Sequence, residues 1–139
     1  MTPETLIELA KEAMTRAYCP YSGFKVGAAL LTKGGKVYPG CNIENAAYGP
    51  SNCAERTAFF TAVCQGEREF EAIAVVGGRD GVLTGLFPPC GVCRQVMMEF
   101  CGPDFMIYMG RGDGSYEAVR LAELLPYGFS AGEYMQSGT

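Results

Sequence analysis

Cys53-Ala54-Glu55-Arg56-Thr57-Ala58-Phe59-Phe60-Thr61-Ala62-Val63-Cys64, then Glu71-Ala72-Ile73-Ala74-Val75-Val76-Gly77, then Pro88-Pro89-Cys90-Gly91-Val92-Cys93-Arg94-Gln95: these three stretches decide the fold. The first predicts a helix over 53–64, capped by Ser51 or Asn52 and closed near Gly66. The second is a short apolar, β-branched run and predicts a strand. After a Gly/Pro-rich loop over 77–89, a second helix spans about 91–100 and stops at Gly102-Pro103. Helix, strand and helix in succession are the signature of an α/β protein.

Working outward, Thr2 and Pro3 read as an N-cap and first helical position. Apolar residues at Leu6, Leu9, Ala10, Ala13, Met14 and Ala17 continue that helix until just before Cys19-Pro20. Residues 25–32 predict a strand, Gly34-Gly35 a turn, and Lys36-Val37-Tyr38 the returning arm of a hairpin. Towards the C-terminus, 105–109 reads as a buried strand, and Gly112-Asp113-Gly114 turns the chain into a last strand over 116–119. A helical turn at 121–125 precedes a tail from Pro126. The order α-β-β-α-β-α-β-β makes an α/β sandwich around a mixed, five-stranded sheet. With 139 residues and no repeat or linker, residues 1–139 are expected to form one domain.

Composition narrows the chemistry. Apolar residues make up 48% of the chain, enough for a core without disulfides. The net charge of −4 and the lack of any Lys/Arg run argue against nucleic acid as a partner and favour a small neutral substrate. The N-terminal residues carry no secretory pattern, and no apolar run approaches the ~18 residues of a membrane span, so a cytoplasmic protein without membrane contact is expected. Seven cysteines, an odd number, then read as metal, redox or packing residues rather than a disulfide framework. Histidine is absent altogether, which removes His-based triads and leaves only Cys and carboxylate for any zinc site.

Cys53 and the Cys90-x-x-Cys93 pair each stand where a loop enters a helix. Helix N-termini offer unpaired N–H groups and a positive dipole end, which favour the thiolates that a metal needs. Three ligands rather than four leave a coordination position open, the mark of a catalytic rather than structural zinc. Glu55 lies two positions past Cys53, beside that open position, where a carboxylate can take and deliver protons. Zinc with three thiolates is left with a net negative charge. Arg56 is expected to donate hydrogen bonds to the thiolate sulfurs and offset that charge, with Arg94 a weaker candidate for the same role. Cys19, Cys41, Cys64 and Cys101 are expected to be small buried apolar residues.

Cys53-Ala54-Glu55 with Pro89-Cys90-Gly91-Val92-Cys93 resembles the zinc deaminase signature in its three-cysteine form. The likeness extends over nearly the whole chain and is closest to the small homotetrameric cytidine deaminases. It takes in Tyr18-Cys19-Pro20-Tyr21-Ser22, Gly40-Cys41-Asn42-Ile43-Glu44-Asn45 and Leu124-Leu125-Pro126-Tyr127-Gly128-Phe129. The resemblance implies a three-layer α-β-α sandwich, one zinc per chain, and hydrolytic deamination of cytidine and deoxycytidine by zinc-activated water at C4. Glu55 would serve as the proton carrier. It further implies that Phe24 packs against the pyrimidine, that Asn42 and Glu44 bind the ribose, and that Ala54 offers backbone groups to the base edge. Phe129 would reach a neighbouring subunit's site in a homotetramer. The family often carries Ser before the Pro-Cys pair. This chain has Pro88, which keeps the backbone carbonyl expected to meet the substrate amino group.

Four other readings compete. One is a deaminase of another aminopyrimidine nucleoside, such as blasticidin S, and one is a polynucleotide deaminase, against which the acidic balance and short length speak. Another is a non-catalytic zinc-stabilised module, which would have no need of Glu55 and would favour a fourth ligand. The last is a thiol redox protein using Cys90 and Cys93, which would leave Cys53 unexplained.

Overall fold

Thr2 caps helix α1 (Pro3–Met14): its side chain accepts a hydrogen bond from the Thr5 N–H at 3.1 Å, and Pro3 takes the first helical position. The helix ends three residues earlier than its apolar stripe predicts. The N–H groups of Thr15, Arg16 and Ala17 bond back three residues, to Glu12, Ala13 and Met14, so the last turn tightens and the helix stops. The computed structural model describes residues 1–133, and positions 134–139 of the expected domain lie outside the described residues.

Strand β1 (Lys25–Thr32) turns into β2 (Val37–Cys41), and the pair runs antiparallel from Leu31↔Val37 to Gly27↔Cys41. Helix α2 (Ala54–Cys64) and strand β3 (Phe70–Arg79) follow, then a two-residue strand β4 (Val82–Leu83), helix α3 (Gly91–Phe100), β5 (Met106–Gly110), β6 (Tyr116–Arg120) and the short α4 (Leu121–Leu124). The sheet order is β2-β1-β3-β5-β6, with β3 and β5 parallel and the other pairs antiparallel. This path is the expected mixed five-stranded sheet. The sixth strand, β4, folds back on β3 inside the predicted loop, through Asp80-Gly81. Both of those residues have positive φ, as two-residue hairpin turns require.

Strand side chains alternate between faces, and the two cores divide accordingly. Ala28, Leu30, Ile73, Val75 and Ile107 face α2 and α3, packing with Phe59 and Met97. Ala29, Leu31, Ala72, Ala74 and Val76 face α1, packing with Leu6, Ile7 and Ala10. The result is the three-layer α-β-α sandwich. The remaining cysteines depart from expectation: Cys19, Cys41 and Cys101 are half-buried and Cys64, the last residue of α2, is exposed.

The topology fixes where chemistry can gather. Helix α2 leads into β3, and β3 leads through a loop into α3, so both helices begin at the carboxyl end of β3. That end is where α/β sheets build their sites. Gly40 on β2 sets how closely α2 lies on the sheet. A Cβ there would sit 2.3 Å from the Ala54 carbonyl oxygen and 2.6 Å from the Ala58 nitrogen.

Candidate active site

The two helix starts converge. Neither Ser51 nor Asn52 caps α2, because the Ser51 hydroxyl accepts from the Asn45 N–H and the Asn52 side chain reaches the Thr57 hydroxyl. Cys53 itself is the N-cap, and its sulfur accepts no bond from a first-turn backbone N–H. Cys90 is the N-cap of α3, and its sulfur accepts from the Cys93 N–H. The Cys53 and Cys90 sulfurs lie 3.7 Å apart, Cys90 and Cys93 3.5 Å, and all three fall within 4.8 Å of one another. Ligands at about 2.3 Å from a tetrahedral zinc stand about 3.8 Å apart. The three sulfurs therefore fit zinc with little movement, and no fourth Cys, Asp or Glu among the described residues joins the group.

Arg56 is the sulfur donor that the sequence predicts. Its Nη2 reaches the Cys53 sulfur at 3.3 Å, while its Nε is buried without a hydrogen-bond partner. The Cys53 thiol pKa is drawn down to about 5. Hydrogen bonding with Cys93 is the main cause, burial opposes it, and Arg56 and Cys90 add to the lowering. Cys93 is pushed up by the same bond to Cys53 and by burial. Burial works against the charge on Arg56, but its bonds to Cys53 and Cys93 outweigh it and hold the guanidinium charged. Arg94 takes a different part from the one expected of it. Its Nε donates to the Pro89 carbonyl at 2.7 Å and its Nη1 to the Leu124 carbonyl at 2.8 Å, tying the loop before Cys90 to the C-terminal segment.

Beside the sulfurs lies a cavity of about 470 Å³. One wall is the first turn of α2, with Cys53, Ala54, Glu55 and Arg56; Pro88 and Cys90 close one end. Glu55 is only 4% exposed, and burial pushes its carboxyl up to about 7. A carboxyl near neutrality can both hold and release a proton.

The facing wall carries Phe24, Asn42 and Glu44. Segment 42–44 is stitched in place on both sides, by Tyr18 N–H to Asn42 O, Glu44 N–H to Tyr18 O and the reciprocal Ile43–Asn52 pair. Asn42 is buried, and its amide bonds both the Val26 N–H and the Phe24 carbonyl, each at 2.8 Å. The Glu44 carboxylate accepts from the Tyr21 and Ser22 N–H groups and from the Ser22 hydroxyl. Those bonds, the hydroxyl's above all, hold its pKa below the usual carboxylate range. Both side chains thus shape the wall as well as face the cavity.

Phe129 is outside the cavity of its own chain. It is 63% exposed, and its carbonyl accepts from the Gln95 side chain at 2.9 Å. Phe87 was missed in the sequence, yet it lines the cavity and meets Phe24 at a ring-centroid distance of 5.9 Å. The signal lay across the sheet at Gly77, where a Cβ would come within 2.5 Å of the Phe87 ring.

Residues 1–109 match the family model of the cytidine and deoxycytidylate deaminase zinc-binding region. The chain is 51% identical over 130 residues to a cytidine deaminase of Sporosarcina psychrophila, covering 94% of this chain and 93% of that one. It is 50% identical to one from Halalkalibacterium halodurans, over 94% of this chain and 96% of that protein. Among solved structures, a cytidine deaminase from Burkholderia pseudomallei superposes with a TM-score of 0.86 at 51% identity, covering 93% of this chain and all of the other. One from Mycobacterium tuberculosis gives 0.79 at 37% identity, over 93% and 98% of the two chains.

Proposed function

The chain belongs to the cytidine and deoxycytidylate deaminase family, and from that premise we propose that it hydrolyses cytidine and 2'-deoxycytidine to uridine and 2'-deoxyuridine, releasing ammonia. It is a zinc-dependent hydrolytic enzyme. The observation that carries the proposal is the pairing of three convergent thiols with a buried carboxyl on one turn of α2, at the wall of a cavity of nucleoside size.

Cys53, Cys90 and Cys93 hold the metal. Zinc, when bound, supplies a Lewis acid that brings the pKa of water towards neutrality. Arg56 offsets the thiolate charge that would otherwise weaken it. Glu55 takes one proton from water and gives it to N3 of the pyrimidine, which makes C4 electrophilic; the water oxygen adds at C4, and Glu55 carries that oxygen's remaining proton to the amino group, which departs as ammonia as the C4–N bond breaks. Phe24 bounds the face of the base, and the Ala54 backbone addresses its edge at the N-terminus of α2. Pro88 lines the cavity with Cys90, and its backbone carbonyl is the group assigned to accept from the substrate amino group. Asn42 and Glu44 receive the ribose hydroxyls. The bonds that fix both side chains in advance support that role, since no ordering is left for substrate to supply.

The protein acts as a cytoplasmic homotetramer, in which Phe129 completes a neighbour's cavity. Its exposure and its place outside its own cavity support this arrangement, and no described helix is long and apolar enough to cross a membrane. Residues 1–133, the described part of the expected 1–139 domain, form one deaminase domain, a reading supported by the two cores packed on a single sheet.

A panel of cytidine, deoxycytidine, CMP, cytosine, blasticidin S and single-stranded DNA, with ammonia and bound zinc measured together, tests the proposal. Turnover of the two free nucleosides with one zinc per chain is expected. Turnover of blasticidin S alone, or of none, would overturn it.

A further inference from the structure

Phe24 stands on the rim of the cavity and is 37% exposed, in a short segment between the Gly23 turn (φ 75°) and the start of β1. Two contacts bear on the plane of the Phe24 ring. On one side it meets Phe87 at an interplanar angle of 54°. On another it is covered by Arg79, the last residue of β3, whose guanidinium carbon lies 4.2 Å from the ring centroid. The Nη2 of the same guanidinium donates to the Ser22 carbonyl at 2.8 Å. Gly23 lies against the group, where a Cβ would make ordinary contact with the guanidinium carbon at 3.6 Å, and its φ of 75° is what favours glycine there. Ser22 in turn bonds the Phe24 N–H and the Glu44 carboxylate through its hydroxyl. One arginine at the β3–β4 hairpin therefore grips, at once, the ring and the backbone of the segment that forms the substrate wall. It takes no part in the cavity lining itself.

We infer that Arg79 is a positioning residue for nucleoside binding, which fixes the plane of Phe24 and the Ser22–Phe24 backbone before substrate arrives. The inference rests on the assignment of Phe24 to the base. Two contacts in different directions call for the planar, multi-donor fork of arginine. A lysine ammonium supplies the charge but not the second fixed direction. Without the clamp, the ring must be ordered at the expense of binding energy, and affinity falls. The reacting groups belong to α2 and α3, so the chemical step is spared.

Arg79→Met is expected to raise KM about five- to tenfold and to weaken competitive inhibition by uridine in parallel, with kcat within about twofold and one zinc retained. Arg79→Lys should recover part of the loss, and it serves as the working variant if the methionine form is poorly soluble. Phe24→Leu should raise KM by itself. The double variant should be no worse than the weaker-binding single, because the two changes remove one shared arrangement. If Phe24→Leu raises KM while both Arg79 variants leave KM and uridine inhibition unchanged, the clamp is refuted and the role of Phe24 stands. If Phe24→Leu has no effect, the reading of the base wall falls, and the clamp falls with it. Additive effects in the double variant, or loss of zinc and kcat in Arg79→Lys, would also overturn the inference.

Discussion

Replacing Gly40 by alanine puts one methyl group between β2 and α2. The added Cβ would lie 2.3 Å from the Ala54 oxygen, 2.6 Å from the Ala58 nitrogen and 2.9 Å from the Ala58 Cβ. Two of these three atoms are helix backbone, which cannot rotate out of the way. Restoring ordinary contact moves the first turns of α2 outward by about 1 Å, and overpacking of this kind costs about 1–3 kcal/mol. For a domain of this size that lowers Tm by about 3–10 °C, compared at matched protein concentration because assembly stabilises. The larger effect falls on the chemistry. Cys53 and Glu55 ride on the turn that moves, and a misplacement of about 1 Å costs on the order of a hundredfold in rate. Differential scanning calorimetry with a continuous deamination assay at fixed zinc measures both quantities. Gly102→Ala is the control, since its Cβ would meet nothing within 4 Å. A Gly40→Ala enzyme with the parent's Tm and kcat would refute the claim that the layer spacing at this residue sets the site.

Glu55→Gln keeps the shape of the buried side chain but cannot carry a proton. It should retain zinc and lose about 10²–10⁴ in kcat, as measured by ammonia release and metal analysis on the same sample; parent-level turnover would contradict the proton role. Cys53→Ala removes one of the three sulfurs and should purify with zinc well below one per chain by atomic absorption. Full metal content would show that the site lies elsewhere. Arg56→Gln loses the bond to the Cys53 sulfur and should weaken zinc by about 10–100-fold in chelator competition. An unchanged affinity would reduce Arg56 to a packing residue.

The metal site was legible in the sequence because its ligands sit at helix starts, and helix starts are written locally. The α/β sandwich was legible in the order of the elements and its three layers through the family resemblance; the division of Ala28, Leu30, Ile73 and Val75 from Ala29, Leu31, Ala74 and Val76 between two cores emerges only with the sheet. Misreadings arose where tertiary neighbours overrode local signals. Pro39 masked the second half of β2, yet β2 is an edge strand, where a missing N–H is tolerated. Asp80-Gly81 is a hairpin signal hidden among other loop residues. Ser51 and Asn52 have capping chemistry, but Asn45 and Thr57 claim their side chains. Arg94 was placed near the sulfurs by adjacency to Cys93, whereas the helix turns it towards Pro89 and Leu124. Phe87 and Arg79 join the site only because β3 and β4 fold beneath Phe24, and no local pattern records that meeting.

The bonds of Arg94 also bear on how the protein should be handled. The Leu124 carbonyl, the guanidinium and the Pro89 carbonyl form a continuous path from the C-terminal segment to the residue before Cys90, and Gln95 adds a parallel tie to Phe129. An affinity handle at the C-terminal side is therefore expected to lower zinc content more than one ahead of Thr2, where α1 packs on the opposite face of the sheet; equal zinc per chain in the two preparations would refute this.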